Sequence, residues 1–338
     1  MPNIREVARQ AGVSIKTVSR VINDSPEVAP ETRQRVRQVI EMLGYRPSLL
    51  ARGLVNGKTN TVGVVIHHST HEVFSYPVFG DALNGIAKVL SDHEFDLLLS
   101  LAWAKRPYVD AYRQQRVDGL ILMSIPLGDA NLAGLVESGA PFVSTCQLFE
   151  DGPLTTWVDP DFYGGTTQAM EHLIGIGHRR IALIAGPPDL ASARNRERAY
   201  TDALTRHGIP VDPALIMRGP LFEGTGRRLA HALVSRPPFP TAVVCSDDLV
   251  ALEVVEQLHW LGFPVPGRMS VIGCDDAAFA RHATPALTTI RQDSFLKGYL
   301  AANALMRIID AGDEPPPPSQ TVLPMQLIIR DSTGPAPI

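Results

Sequence analysis

Cysteine is scarce in this chain of 338 residues, and its distribution excludes a disulfide-stapled fold. The three cysteines, Cys146, Cys245 and Cys274, show no paired spacing. Isolated cysteines of this kind are typical of small core residues in a reducing compartment. We therefore expect a cytoplasmic protein.

Long apolar runs are also missing. Although 45% of the residues are hydrophobic, no apolar stretch reaches about 18 residues, so we expect no transmembrane helix and no membrane partner. The amino terminus, Met1-Pro2-Asn3, leads straight into an amphipathic helical pattern and does not resemble a secretory signal peptide.

The motifs of common catalytic and cofactor sites are absent as well. The chain contains neither the GxSxG of a nucleophile elbow nor the GxGxxG of a dinucleotide site. Three residues separate Gly53 from Gly57, where a phosphate loop needs four. The run His67-His68-x-x-His71 lacks the glutamate of a metalloprotease helix. We expect no enzyme, no cofactor and no metal site.

Positive charge is concentrated at the amino-terminal end. Residues 1–60 carry ten Lys and Arg against five Asp and Glu, a net charge of +5. The whole chain carries −4, which leaves −9 on residues 61–338. A basic head on an acidic body suits a protein whose head alone binds phosphate groups.

The segment Asn3–Asn23 contains two short helical patterns joined by a turn. Gly12 provides the permissive backbone of the turn, and Ser14 is placed to cap the second helix. A third pattern starts near Pro30, a favoured first helical position, and ends by Leu43-Gly44. This is the plan of a helix-turn-helix, in which the second helix enters the major groove of DNA.

The polar face of the second helix carries side chains that can read DNA. Lys16 and Arg20 can donate to guanine and Ile15 can contact a thymine methyl group, so these three are the candidates for base readout. The candidates for contact with the DNA backbone are short donors, namely Ser14, Thr17, Ser19, Asn23 and Thr32. The alternative is a small three-helix bundle with an ordinary polar face.

The run from Asn3 to Thr59 resembles the DNA-binding head of the lactose-repressor/galactose-repressor (LacI/GalR) family. The similarity lies in REVARQAGVSIKTVSRVIN, ETRQRV and GYRPSLLARGL. The base-reading positions of that family match the three candidates named above. Two departures are mild: Ala29 stands where Ser commonly caps the third helix, and Ser48 stands where Asn is common.

Residues 47–56 could form a short helix, capped by Ser48, that would be marginal on its own in water. The resemblance implies that this hinge folds only on operator DNA, paired with its twin from another subunit. The candidates for the minor groove are Ala51, Arg52 and Leu54, with Leu54 wedged between base steps. The alternative is a flexible linker with an incidental leucine.

From Thr61 onward, short apolar runs alternate with helical patterns. This alternation predicts doubly wound parallel sheets covered by helices on both faces, and its length predicts two such lobes. The expected strands are Thr61–Ile66, Phe95–Leu101, Gly119–Met123, Pro141–Thr145, Ile181–Gly186, Thr241–Ser246, Ser270–Cys274 and a late Thr321–Arg330. The expected helices are Phe79–Ser91, Phe162–Gly175, Arg194–His207, Gly226–Ser235, Asp247–Leu261 and Ser294–Ala311.

The family resemblance continues through the body, in RVDGLIL, GHRRIALIAGP, SDDLVAL, SVIGCDD, PALTTIRQ and LIIRDS. It implies the fold of periplasmic sugar-binding proteins: two α/β lobes joined by three crossovers, with a small molecule in the cleft. We expect a helix-turn-helix head over 1–46, a hinge over 47–59 and an effector-binding and dimerisation body over 60–338. The first lobe is expected over about 60–158 and 291–318, and the second over about 159–290 and 319–338.

Several polar residues lie near predicted strand ends, and ligands of open parallel sheets bind outside the carboxyl ends of the strands. Asp and Arg bind hydroxyl-rich ligands through two directed hydrogen bonds, and an aromatic residue such as Phe79 or Trp157 would complete the pocket. The candidate effector residues are Phe79, Asp159, Ser192, Arg196, Leu221, Ser246, Asp247 and Asp275. The three aspartates could instead be helix N-caps.

The resemblance implies effector contacts at Phe79, Arg196, Ser246-Asp247 and Asp275. It also contains departures that concern specificity. Leu221 stands where an aromatic residue can close the pocket, Cys146-Gln147 replaces a common Asp-Arg, and Pro160 follows Asp159 where Asn is usual. These departures leave the identity of the ligand open.

The sequence therefore predicts a cytoplasmic, nucleoid-associated transcription regulator, most simply a repressor, that binds near-palindromic operator DNA. We expect a homodimer, with a higher oligomer left open, and a sugar or sugar derivative that acts as inducer or co-repressor. One alternative is a sugar-active enzyme that uses Asp247 and Asp275 as paired carboxylates. The other is a sugar-binding receptor without DNA, which would need a signal peptide and no basic head.

Overall fold

The computed structural model describes residues 2–22, 24–45, 58–101, 107–149, 154–220 and 224–337. The chain divides into two compact units, Met1–Asn60 and Thr61–Ile338. Five predicted site residues lie outside the described residues, namely Asn23, Ala51, Arg52, Leu54 and Leu221. Their roles stay predictions.

The described part of the amino-terminal unit consists of α1 (Ile4–Ala11), α2 (Ile15–Ile22) and α3 (Pro30–Leu43). Asn3 caps α1 by accepting a hydrogen bond from the Glu6 amide at 3.1 Å, and Gly12 ends the helix with a left-handed φ of 63°. Ser14 caps α2 by accepting a hydrogen bond from the Thr17 amide at 3.1 Å. The predicted helix-turn-helix is therefore confirmed.

The core of this unit is made of small apolar side chains from all three helices and the α2–α3 loop, which are Val7, Ala8, Ala11, Val18, Val21, Val28, Val36 and Val39. Ile40 and Leu43 of α3 are half-buried and pack against this core, in which Val39 of the same helix is buried.

The first sheet of the body is formed by β1 (Thr61–Ile66), β2 (Asp96–Ser100), β3 (Gly119–Met123), β4 (Phe142–Ser144), β5 (Trp157–Pro160) and β11 (Gln320–Leu323). Its order is β11-β5-β4-β3-β1-β2, and every pair in it is parallel.

The second sheet is formed by β6 (Ile181–Gly186), β7 (Ile216–Arg218), β8 (Ala242–Val244), β9 (Ser270–Asp275), β10 (Thr288–Arg291) and β12 (Gln326–Ile328). Its order is β12-β10-β9-β8-β6-β7. Only the edge pair β10–β12 is antiparallel among the described pairs.

The helices of the body are α4 (Thr70–Ser75), α5 (Pro77–Asp92), α6 (Asp110–Arg113), α7 (Asn131–Glu137), α8 (Phe162–Gly175), α9 (Ala191–Arg206), α10 (Thr225–Leu233), α11 (Asp248–Trp260) and α12 (Ser294–Ala311). They cover each sheet on both faces with a separate apolar core. This confirms the predicted two-lobed α/β architecture. Among the described helices, none combines the length and apolarity that a membrane crossing needs.

The predicted strand Thr321–Arg330 was wrong, because this segment forms two strands in two sheets. Strand β11 pairs with β5 in the first lobe, and β12 pairs with β10 in the second. Pro324 stands between them and has no amide hydrogen to donate to a sheet. The first lobe therefore extends to Leu323, beyond the boundary expected at 318.

Three further strands were missed in the sequence: β5, β7 and β10. Each has only three or four residues, which is too short for a clear period-two pattern. As a result, Asp159 lies within β5 rather than after a strand. The chain crosses between the lobes after β5, after β10 and after β11, which matches the three crossovers that the resemblance implied.

Helices α5 and α12 pack closely in the first lobe because glycines lie at their contact. A Cβ on Gly298 of α12 would lie 2.0 Å from the backbone oxygen of Ala82, and one on Gly85 of α5 would lie 2.1 Å from that of Phe295. Backbone atoms cannot move aside as a flexible side chain can, so a larger residue must separate the helices.

We expect Gly298→Ala to lower the free energy of unfolding by about 1–3 kcal/mol, the usual cost of overpacking a core. The matched control is Gly80→Ala, on exposed α5 surface with no atom within 4 Å of the added Cβ. This control should be neutral or stabilising by up to about 1 kcal/mol, because Ala favours helix. Urea unfolding of both variants measures the difference, and equal stabilities would contradict the close packing.

Candidate functional site

The three candidates for base readout lie on the outer face of α2. The side chain of Ile15 is 46% exposed although it is apolar, and Lys16 is also exposed. Arg20 pairs with Glu27, with Nη2 and Oε2 2.9 Å apart on a solvent-accessible surface. Surface ion pairs contribute little to stability, so Arg20 can exchange Glu27 for a DNA group at small cost.

The candidates for contact with the DNA backbone lie around the same helix. Ser14 is exposed, whereas Thr17, Ser19 and Thr32 are half-buried. The hydroxyl groups of Ser14 and Thr17 lie 2.9 Å apart and hydrogen-bond to each other. These two residues therefore shape the start of α2 in addition to any contact that they make with phosphate.

Two of the head's arginines hold the loop between α2 and α3. Arg33 and Arg37 both bind the carboxylate of Asp24, at 3.1 and 2.6 Å, and Arg33 also donates to the carbonyl oxygen of Ser25 at 2.6 Å. Part of the positive charge of the head is thus used within the fold.

A cavity of about 90 Å³ lies in the body between the two lobes, at the carboxyl ends of the strands. Seven of the eight candidate effector residues line this cavity, and they are Phe79, Asp159, Ser192, Arg196, Ser246, Asp247 and Asp275. The eighth, Leu221, lies outside the described residues. Side chains from both lobes therefore converge on one cavity.

Several residues of the cavity were missed in the sequence, and they include Tyr76, Phe162, Gln292 and Lys297. Gln292 directly follows β10, so it would have been found if that short strand had been recognised. Trp157, considered as an aromatic platform, is not among the lining residues, whereas Phe79 and Phe162 are.

Arg196 projects from α9 into the cavity wall and is only 5% exposed. Its guanidinium lies over the ring of Phe162, 4.6 Å from the ring centre, and Nη1 donates to the carbonyl oxygen of Ala185 at 3.2 Å. Its Nε has no hydrogen-bond partner among the described residues. A buried donor without a partner is costly, so this nitrogen is suited to a ligand.

Asp275 connects the two lobes through hydrogen bonds. Its carboxylate accepts from the hydroxyl group of Tyr76 and from the side-chain amide of Gln292. The Tyr76 oxygen in turn accepts from the backbone amide of Asp248 at 3.1 Å. Tyr76 belongs to the first lobe and Asp248 and Asp275 to the second, so this network links the lobes beside the cavity.

Asp247 has a structural role as well as a place in the cavity wall. Its Oδ1 accepts from the Val250 amide at 2.8 Å and caps α11, while its Oδ2 accepts from the Ser246 hydroxyl at 2.9 Å. The N-cap alternative is thus correct for Asp247. It is wrong for Asp159, which lies in β5, because Asp161 caps the following helix.

Burial dominates the electrostatics of the carboxyl groups in the cavity. It raises the pKa of Asp159 from 3.8 to about 7, although Lys297, the Gln147 amide and Arg196 lower it in part. Burial also raises the pKa of Asp275 to about 6, opposed first by the hydrogen bond from Tyr76. Both groups therefore change charge near neutral pH.

Comparison with known proteins relates both units to one family. Bacterial regulatory proteins of the lacI family match residues 3–48, and the periplasmic binding protein-like domain matches residues 170–333. The HTH-type transcriptional regulator CelR of Thermobifida fusca is 35% identical over 335 residues, covering 98% of each protein.

Solved structures give the same relationship. The transcriptional regulator CelR–cellobiose complex has a TM-score of 0.75 at 33% identity and covers 98% of this chain and 100% of that one. The lac repressor dimer bound to operator and the anti-inducer ONPF has a TM-score of 0.84 at 26% identity, with 98% and 99% covered. The similarity spans the head and the body.

The raised pKa of Asp159 predicts how stability depends on pH. The folded protein keeps the proton up to about pH 7, whereas the unfolded chain loses it near 3.8, so the stability of the ligand-free protein falls as the pH rises between these values. The decrease in the free energy of unfolding is complete above about pH 7, and it amounts to at most about 4 kcal/mol. Asp159→Asn should therefore stabilise the protein at pH 8 and much less at pH 4.

Thermal unfolding of Asp159→Asn and the original protein across this pH range measures the effect. The control is Asp310→Asn, which removes an exposed carboxylate on α12 and should not reproduce the pH dependence. A constant difference in stability from pH 4 to pH 8 would contradict the buried carboxyl.

Proposed function

This chain belongs to the LacI family of bacterial regulatory proteins, and from that premise we propose that it is a cytoplasmic repressor whose affinity for operator DNA is controlled by a sugar. Membership of this family makes it a DNA-binding transcriptional regulator and not an enzyme. The same membership excludes the alternative of a sugar-binding receptor that does not bind DNA, because the chain carries the family's DNA-binding head.

The head reads the operator through α2. Lys16 and Arg20 donate to base edges in the major groove, Ile15 contacts a thymine methyl group, and the hydroxyl groups of Ser14, Thr17, Ser19 and Thr32 bind phosphate. The exposed position of Ile15 and Lys16 on the outer face of α2 supports this assignment. Two heads of a homodimer bind the half-sites of a near-palindromic operator.

The hinge adds contacts in the minor groove. Ala51, Arg52 and Leu54, together with the phosphate donor Asn23, complete the DNA-binding set. Leu54 inserts between base steps and kinks the duplex. The sequence GYRPSLLARGL supports this role, and so does the similarity to the operator-bound lac repressor, which covers 98% of this chain.

The effector binds in the cavity between the lobes of the body. The observation that carries this proposal is the convergence of seven predicted residues from separate segments on one buried space. Carboxylates, a guanidinium, a hydroxyl group and the aromatic ring of Phe79 are the groups that bind sugars. Leu221 completes the set, and the cellobiose bound to the related CelR supports a sugar as ligand.

The effector controls DNA binding by favouring one arrangement of the lobes. The network of Tyr76, Asp248 and Asp275 joins the lobes next to the cavity, so a ligand that binds there changes the balance between open and closed forms. The change in operator affinity cannot exceed the difference in ligand affinity between the two forms, typically about 5- to 150-fold.

Lys16→Ala tests base reading. We expect operator affinity to fall by about 1–3 kcal/mol, with a smaller loss on unrelated DNA, because a base contact adds to the shared phosphate attraction. The measurement is fluorescence anisotropy with both duplexes at one salt concentration. Arg35→Ala removes one exposed positive charge from α3 and serves as the control, with any loss equal on both duplexes. Equal losses for Lys16→Ala would count against base reading.

Arg196→Ala tests the effector cavity. The variant should bind the operator as the original protein does but lose its response to the effector, because the guanidinium and its unpaired Nε are removed from the cavity wall. The measurement is a gel shift on the promoter of the protein's own operon with a panel of sugars. A retained response would remove Arg196 from the binding site, and Arg194→Ala, outside the cavity lining on the same helix, is the control.

A further inference from the structure

Lys297 is a buried lysine in the wall of the effector cavity. It lies in the first turns of α12 and is only 8% exposed. Its Nζ donates to Gln292 Oε1 at 3.4 Å, a long hydrogen bond, and it forms no ion pair with a carboxylate of the described residues. A buried ammonium group with three donors and one weak partner is unfavourable unless something else binds it.

Asp159 is in a comparable position on the same side of the cavity. It is 6% exposed, and the hydrogen bond that the structure shows for its carboxylate comes from the Gln147 amide at 3.3 Å. Lys297 is close enough to influence Asp159 electrostatically but does not approach within ion-pair distance. A donor and an acceptor that can each form further hydrogen bonds therefore face the same cavity.

We propose that Lys297 and Asp159 form a hydroxyl-binding subsite, in which one hydroxyl group of the effector accepts a hydrogen bond from Lys297 and donates one to Asp159. A hydroxyl group is both donor and acceptor, so it satisfies both residues at once. The proposal rests on the proposed function of the cavity as the effector site, and it adds the chemical class of the ligand.

The charges of the cavity favour an uncharged ligand. Three carboxyl groups, on Asp159, Asp247 and Asp275, face the cations Arg196 and Lys297 in the same wall. Above about pH 7, where Asp159 and Asp275 are ionised, a carboxylate or phosphate on the ligand would add negative charge to a buried site with three carboxylates and two cations. The effector is therefore a neutral polyhydroxylated molecule and not a sugar acid or a sugar phosphate.

The pH dependence of binding distinguishes a neutral ligand from an anionic one. The groups that face Asp159 are Lys297 from α12, Arg196 from α9 and the thiol of Cys146, whose pKa burial raises to about 11. A hydroxyl group that donates to Asp159 favours the ionised carboxylate, so a neutral sugar should bind more tightly as the pH rises through about 7. An anionic ligand needs the protonated form and should bind more weakly.

The test uses matched pairs of neutral and anionic sugars: cellobiose with cellobionate, glucose with glucuronate, and glucose with glucose 6-phosphate. Calorimetric titration of the full chain should show tighter binding of a neutral member. Lys297→Met keeps the length of the side chain and should weaken that binding about 10- to 100-fold, the loss of a hydrogen bond to a charged group. Lys88→Met removes an exposed lysine that pairs with Asp92 and should change nothing.

Asp159→Asn should abolish the rise of affinity with pH, and thermal unfolding of each variant verifies that it is folded. Three results would overturn the subsite. They are tighter binding of the anionic member of a pair, binding of a neutral sugar that Lys297→Met does not weaken, and no binding of any neutral sugar. Operator affinity is measured on the same samples. A sugar whose binding depends on Lys297 but leaves operator affinity unchanged would overturn the proposed function and leave the subsite standing.

Discussion

The cavity of the body exists because two parallel sheets present the carboxyl ends of their strands to the space between them. In a parallel sheet all strands end at one edge, so side chains that are distant in the sequence become neighbours there. Asp159 at the end of β5, Asp275 at the end of β9 and Gln292 after β10 are brought together in this way. Because the chain crosses between the lobes three times, each lobe is assembled from separate segments and the two remain linked around the cavity.

Burial of charge is the second constraint, and it distinguishes the cavity from the rest of the body. The apolar cores on the sheet faces consist of hydrophobic side chains that pack together and need no hydrogen-bond partners. In the cavity, by contrast, Arg196 and Lys297 have fewer hydrogen-bond partners than they have donors, and Asp159 and Asp275 have raised pKa values because they are withdrawn from water. The ligand-free protein is less stable than it would be with an apolar cavity wall, and a ligand that supplies the missing partners recovers part of that cost.

Some residues serve the fold and the cavity together, which explains why their roles are difficult to separate in the sequence. Asp247 caps α11 and also lines the cavity, and Tyr76 ends α4 while its hydroxyl group joins the two lobes. In the head, Ser14 caps α2 at the place where a phosphate contact is proposed. A ligand or DNA group that binds at such a residue acts directly on the geometry of a helix end.

The sequence alone determined the helix-turn-helix, the two-lobed α/β body and seven residues of the cavity wall, because helix caps, apolar periodicity and family motifs are local signals. Several elements were placed to the residue, including β1, β3, α8 and α12. Only the tertiary structure decided that 320–328 is divided between two sheets at Pro324, because the sequence of a short strand does not specify which strand it pairs with. It also decided that Lys297, a charged residue within an amphipathic helix, lies inside the cavity and not in solvent, because the packing of α12 against the first lobe sets which face is buried.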